Sequence, residues 1–278
     1  MDSLDQKHQT KLLADQRRQR ILTSVYEHGS VNTDELAARF DVSSMTIWRD
    51  LKILEDAGMI RRIRGGGTLP DGFTAAEPIF QKKQTLNREK KASIAAYAAQ
   101  HFVQDNHIII LEAGTTAMAM VKYLNQRNLT AITNGLGTLN ELAHRLNNIN
   151  LLSCGGMMRE IGYTFVGPQA EQFFKNIRAN TLFLSATGLA LPEGITDPNP
   201  LEIQIKRAMA TSAERIVLIM DSTKFGVRSL AEILPLEKVA VLITDSGAPE
   251  DFVSELCQMG LDVHIASAGE RINEECDE

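Results

Sequence analysis

The apolar positions near the start of the chain recur at helical spacing. Ile21, Leu22 and Val25 fall on one face of a helix expected over residues 15–28, and the run stops at Gly29, a residue suited to closing a helix at its C-terminus. Asn32 offers a side-chain oxygen to cap a second helix over 33–40. Ser43 does the same for a third over 44–57, which Gly58 would terminate. At about 100° per residue, Ile47, Leu51 and Leu54 of the third helix form an apolar stripe, while Met45, Arg49 and Lys52 gather on the opposite face. From Met59 the period changes to two: Met59, Arg61 and Ile63 alternate with Arg62 and Arg64, and Gly65, Gly66 and Gly67 end the run.

Farther on, short apolar runs at 107–111, 129–133, 150–153, 181–185, 215–220, 239–244 and 261–265 predict strands, most of them separated by helical stretches. A helix carrying Ile94, Ala98 and Phe102 on one face precedes them. That alternation indicates a mostly parallel, Rossmann-like α/β sheet covered on both faces, and such sheets bind ligands at the carboxyl ends of their strands. The turns at those ends are polar or glycine-rich. The first is Glu112-Ala113-Gly114-Thr115-Thr116, whose amides and hydroxyls suit an anion at a helix start, followed by Thr133-Asn134-Gly135 and Cys154-Gly155-Gly156. Lys224, after a later strand, offers a phosphate a positive partner. Between the two halves, the Gly- and Pro-containing residues 65–82 suggest a linker, so the expected organisation is a domain over 1–70, a linking segment over 71–90 and an α/β domain over 91–278.

Composition narrows the function. The 278 residues carry a net charge of −6, but the first 70 sum to +1 and the remainder to −7, and residues 58–70 hold three arginines and no acid. Arg17, Arg18 and Arg20 form a second basic group. The overall acidity therefore hides a local surface fit for a polyanion. Cys154, Cys257 and Cys276 make neither a disulfide framework nor a zinc motif, and a reducing cytoplasm is expected. No apolar run approaches the about 18 residues of a membrane helix. His8, His28, His101, His107, His144 and His264 show no metal-ligand spacing, and the stretch from Gly135 to Asn140 lacks the third glycine of a dinucleotide fingerprint, so no cofactor or metal is expected.

Helix, helix, turn, helix and an arginine-bearing strand pair describe a winged helix-turn-helix, whose third helix enters the DNA major groove. The expected contacts are Ser44, Met45, Thr46, Trp48, Arg49 and Lys52 from that helix and Arg61, Arg62 and Arg64 from the wing, Trp48 lying on a flank where packing competes with DNA contact. The run VSSMTIWRDLKILEDAGMIRRIRGGGT resembles the signature of the DeoR family of bacterial transcriptional regulators, with Trp48 in place of a usual Arg and Arg64 in place of a usual His. The resemblance implies a sugar-phosphate-isomerase-like effector domain, with Glu112, Gly114, Thr115, Thr116, Thr133, Asn134, Gly155, Gly156 and Lys224 matching its pocket motifs. Glu112 stands where Asp is usual and a hydroxyl residue is missing near Gly135, which leaves the sugar open.

The implied function is a sequence-specific, non-enzymatic transcriptional regulator in the cytoplasm, a homo-oligomer that represses a carbohydrate-utilisation operon and leaves its double-stranded operator when a phosphorylated sugar binds. The alternative is a sugar-phosphate isomerase-like enzyme with an appended helical module, Glu112 or Asp221 serving as base. A winged helix devoted to protein contacts is a third possibility.

Overall fold

The computed structural model describes residues 14–56, 59–70, 74, 77–145 and 149–267. His8, Gly58, Gly72 and Cys276 lie outside them. The chain divides into two compact units, Met1–Ala76 and Glu77–Glu278.

In the smaller unit, α1 (Ala14–His28), β1 (Ser30–Asn32), α2 (Thr33–Phe40) and α3 (Ser44–Asp56) are followed by β2 (Arg61–Ile63) and β3 (Gly66–Thr68). Asn32 caps α2 by accepting from the amides of Asp34 (2.8 Å) and Glu35 (3.3 Å), and Ser43 Oγ accepts from the Thr46 amide at 3.2 Å. Ile21, Val25, Ile47 and Leu51 are fully buried and, with Leu22, Leu36, Leu54 and Ile60, form the core of this unit. The three strands pair antiparallel in the order β1-β3-β2. The glycines expected to end the wing instead make its turn and return strand. Gly65 takes a φ of +86°, and a Cβ on Gly66 would lie 1.9 Å from the Val31 carbonyl oxygen, so only glycine lets β3 close on β1.

Of the basic group expected at the start of α1, Arg20 is exposed, whereas Arg17 and Arg18 turn toward α3. Arg17 is 7% exposed, and its Nε meets Asp50 of α3 at 2.6 Å. Arg18 reaches the other Asp50 oxygen at 3.4 Å and also pairs with Asp15. Asp50 itself is buried, so this pair fastens α1 to α3.

The larger unit opens with α4 (Phe80–Thr85) and α5 (Arg88–Phe102). Then come β4 (Ile108–Leu111), α6 (Thr115–Met120), β5 (Leu129–Thr133), α7 (Leu136–Ala143), β6 (Ile149–Ser153), the hairpin β7 (Met157–Arg159) and β8 (Thr164–Val166), and α8 (Pro168–Lys175). The second half runs β9 (Ala179–Leu184), β10 (Gly188–Ala190), β11 (Gly194–Asp197), α9 (Pro200–Ser212), β12 (Ala213–Ile219), β13 (Ala231–Leu234), β14 (Val241–Asp245), α10 (Glu250–Gln258) and β15 (Asp262–Ala266). Seven strands form one parallel sheet in the order β15-β14-β12-β9-β4-β5-β6. Alternate residues serve opposite cores: Ile109 and Leu111 join α5 residues Ile94, Ala95 and Ala98, whereas Ile110 joins Phe174 of α8 and Met209 of α9. The first strands build outward from β4 to β6, and the chain then returns to lay β9 on the other side of β4. A crevice at the strand ends follows from that reversal.

The division at Ala76 and Glu77 puts α4 and the first turn of α5 inside the larger unit rather than in a connecting stretch. Phe80 is the reason. Its ring is 6% exposed and stacks on Tyr163 at 5.3 Å, and its amide donates to the Ile161 carbonyl at 2.9 Å.

Replacing Asp50 by alanine strands Arg17 in an apolar setting and should lower the unfolding free energy of the smaller unit by about 3 kcal/mol. Denaturant titration checks this, and a loss below about 1 kcal/mol would assign the pair no more weight than a surface ion pair.

Candidate functional site

On the smaller unit, α3 turns Ser44, Met45, Arg49 and Lys52 to solvent, Met45 at 62% exposure. Lys52 pairs loosely with Asp56 at 3.7 Å, Ser44 Oγ donates to Asp34 at 3.2 Å, and Thr46 shares a hydrogen bond with Ser43. Arg61 and Arg64 are exposed on the wing. Arg62 is placed differently. Glu55 accepts from its amide at 2.8 Å and its Nε at 2.5 Å, and its guanidinium lies 5.9 Å from the Trp48 ring centre. The backbone and side-chain hydrogen bonds from Arg62 hold the Glu55 carboxyl below its usual range. Trp48 is half-buried against the unit's core, so Trp48, Arg62 and Glu55 lock the wing to α3.

In the larger unit, the reversal between β4 and β9 opens a small polar cavity at the strand ends, part of it open to solvent. Across it, Glu112 after β4 accepts from Ser185 Oγ after β9 at 2.5 Å and from the Gly114 amide at 2.9 Å. The other Glu112 oxygen lies 3.4 Å from Lys206 Nζ of α9, which also meets Asp197 at 2.7 Å and donates to the Ser185 carbonyl at 3.0 Å. Burial opposes the Lys206 charge, but Asp197, Glu112 and Glu202 around it hold the ammonium well above its ordinary pKa. Glu202 is buried too. Desolvation pushes its carboxyl up in spite of Lys206 and of hydrogen bonds from Thr164 and Arg159.

Lys83 of the lining pairs with Glu77 at 3.6 Å, but two other lysines lack such a partner. Among the described residues, no carboxylate lies within ion-pair distance of Lys91 or Lys224, both of which line the cavity. Lys91 Nζ donates to the Lys83 carbonyl. Burial lowers the Lys91 ammonium to about 8 and pulls Lys224 down as well, only partly offset by the charge of Asp221. Asp221 is already engaged by Asn87 and Thr223. These two lysines have cationic ends with no carboxylate in contact, balanced only in part by the charge of Asp221.

Of the residues expected from the sequence, Glu112, Gly114, Thr115, Thr116 and Lys224 line this cavity. Thr133, Asn134, Gly155 and Gly156 do not. Asn134 Oδ1 accepts from the Ala113 amide at 3.0 Å, its carbonyl accepts from Phe165 at 2.7 Å, and Thr133 Oγ1 accepts from the Gly135 amide at 3.0 Å, so both shape the loop behind Glu112. Gly156, at a φ of +109°, lets the chain pass the Val166 carbonyl, which a Cβ would approach to 2.8 Å. The helix that follows Gly114 has only six residues, and Glu112 itself occupies the Gly114 amide. Gly137, in the stretch that begins like a dinucleotide fingerprint, makes room for the Phe80 ring.

Sequence reasoning did not single out Glu77, Lys83, Lys91, Ser185, Asp197, Glu202 or Lys206, all of them lining residues. A signal existed for three of them. Lys91 occupies the apolar face of α5 with Ile94, Ala95 and Ala98, and Glu202 and Lys206 sit one turn apart among the buried positions of α9. Charge on a helix's core side requires a partner or a ligand.

The DeoR-like helix-turn-helix domain model matches residues 17–72, and the DeoR C terminal sensor domain model matches residues 86–246. The chain belongs to the DeoR family. The HTH-type transcriptional regulator GolR of Listeria innocua is 35% identical over 255 residues, 90% of this chain and 98% of that one. The HTH-type transcriptional regulator IolR of Bacillus subtilis is 30% identical over 243 residues, 87% and 95% of the two chains. The transcriptional repressor AccR of Agrobacterium fabrum is 34% identical over 233 residues, 83% and 89%. This DeoR protein is thus a DNA-binding regulator with a sensor domain rather than an enzyme. Among the described residues, no helix is long and apolar enough to cross a membrane.

Because Lys206 is the cation that Glu112 and Asp197 share inside the protein, Lys206→Met should destabilise the sensor domain by about 3 kcal/mol or more. Differential scanning calorimetry of the full chain checks this, the expected outcome being a downshift confined to the sensor-domain transition.

Proposed function

We propose that this DeoR regulator is a cytoplasmic, homo-oligomeric repressor of a carbohydrate-utilisation operon. In this proposal the cavity between β4 and β9 takes a phosphorylated sugar, and the operator is released as it fills. The observation that carries the effector class is the pair of buried lysines, Lys91 and Lys224, which line the cavity with no carboxylate in ion-pair contact, Asp221 acting on both only through its charge. A phosphate ester gives these two lysines an anion in direct contact, and hydroxyls of the sugar suit the carboxylate and hydroxyl groups of Glu112, Asp197, Thr115 and Thr116. Repression accords with the relative AccR, a transcriptional repressor.

On the DNA side, Met45, Arg49 and Lys52 present base-reading and phosphate-binding groups, Ser44 and Thr46 approach the backbone at the helix start, and Arg61 and Arg64 grip phosphates beside the groove. Arg62 and Trp48 serve DNA binding indirectly by fixing the wing to α3. Thr133, Asn134, Gly155 and Gly156 serve the effector site in the same indirect way, as supports of its loops. For the sugar to act, it must favour the form with low operator affinity, and each 1.4 kcal/mol of that preference is worth about tenfold.

Three outcomes are expected. Arg49→Ala should weaken operator binding by about 1–3 kcal/mol in fluorescence anisotropy while leaving sugar-phosphate binding intact. Lys224→Ala should do the reverse: unchanged operator affinity without ligand, and at least about tenfold weaker response to a phosphorylated sugar. The third concerns pH. An anion binds the protonated lysines, and burial sets Lys91 at about 8 in the empty cavity. Affinity measured by calorimetry should therefore fall as pH rises from about 7 to 9, and Lys91→Arg, which keeps its charge, should flatten that fall. Equal affinity across the range would remove Lys91 from the site.

A further inference from the structure

The cavity already contains an anion of its own. Five carboxylates line it: Glu77, Glu112, Asp197, Glu202 and Asp221. Four of them belong to strand ends or to α9. Glu77 alone arrives from the segment ahead of α4, as the first residue of the sensor unit and directly after the helix-turn-helix unit in the chain. Its side chain is 12% exposed, with one oxygen 2.7 Å from Arg159 Nη2 and the other 3.6 Å from Lys83 Nζ. Gly162 makes room for it, since a Cβ there would lie 3.2 Å from Glu77 Oε1.

We propose that Glu77 is a built-in counter-ion of the effector site, which the anionic group of the ligand displaces from Lys83 and Arg159, so that effector binding unfastens the segment leading to the DNA-binding domain. This rests on the phosphate-binding function proposed above. A phosphate dianion carries more charge and more acceptor oxygens than one carboxylate and competes well for a lysine and an arginine that already converge. Arg159 is not left bare by the exchange, because Glu202 holds its other nitrogen. Burial would lift the Glu77 carboxyl, yet the Arg159 hydrogen bond and the nearby charges of Lys83, Arg159 and Lys206 keep it below its usual range, so it is charged and able to compete.

The neighbouring contacts are of a different kind. Three residues on, Phe80 is fixed by its ring on Tyr163 and by its amide on the Ile161 carbonyl, interactions that an anion does not contest. Phe80 therefore marks where the fastening remains firm, and Glu77 marks the part a ligand can open. Free energy spent on breaking the Glu77 pairs is lost from ligand affinity and reappears as coupling to the upstream segment, and the two quantities must move in opposite directions when Glu77 is neutralised.

The test compares the full-length protein with Glu77→Gln, which keeps the shape of the side chain and removes its charge, using inorganic phosphate as the probe. Calorimetry should show phosphate binding about tenfold more tightly to the variant, because the internal competitor is gone. Hydrogen exchange of peptides covering residues 77–85 should rise on phosphate addition in the unaltered protein, and should be high from the outset in Glu77→Gln. Phosphate binding that is equal or weaker in Glu77→Gln, with exchange unresponsive to phosphate in both proteins, would overturn the counter-ion role and leave the cavity's phosphate function standing. If neither protein binds phosphate, the function proposed for the cavity fails first.

Discussion

The sensor domain depends on one buried ammonium. Lys206 sits where the sheet reverses its strand order, between Glu112 from one half and Asp197 from the other, with its third bond on the Ser185 carbonyl. Carboxylates this deep would be prohibitively costly without a cation in contact. With it, the ends of β4, β9 and β11 are tied to α9, and the loop that begins at Glu112 is held open by Ser185 and by its own Gly114 amide. The crevice is therefore kept polar, and Lys91 and Lys224 stand at its wall without a contacting carboxylate because Glu112, Asp197 and Glu202 are drawn to Lys206 and Arg159.

The DNA-binding domain has the same logic at smaller scale. Asp50 draws Arg17 and Arg18 inward, fixing α1 against α3, and Glu55 draws Arg62 back, fixing the wing. Arginine in a small basic domain thus divides between structure and nucleic acid. The identity of the residue does not say which role it has; the presence of a nearby acid on a facing element does.

That division explains how much was legible in the sequence. Helices over 33–40 and the start of α3, and all seven strands of the parallel sheet, follow from apolar periodicity to within one or two residues, because each element buries a regular face. Antiparallel pieces such as β7–β8 and β10–β11 were not legible: they are three or four residues long and carry no period long enough to read. The Gly65 to Gly67 run looks like an ending in the sequence, but Gly66 is needed for a close approach to Val31, which lies far off along the chain. Site residues were legible where a motif sits at a strand end, as for Glu112, Thr115 and Lys224. They were hidden where the residue reaches the cavity from a helix, as for Lys91, Glu202 and Lys206, and Glu77 gave no periodic signal at all.

The seam between α3 and the wing carries one more consequence. Trp48 is the only tryptophan in the 278 residues, and its indole lies beneath the Arg62 guanidinium at the edge of the DNA-binding core. Emission excited selectively from indole therefore originates wholly in the smaller domain. The protein carries a native optical label whose surroundings change when the wing shifts against its helix, which lets events in the sensor domain be followed in the DNA-binding domain without attaching a dye.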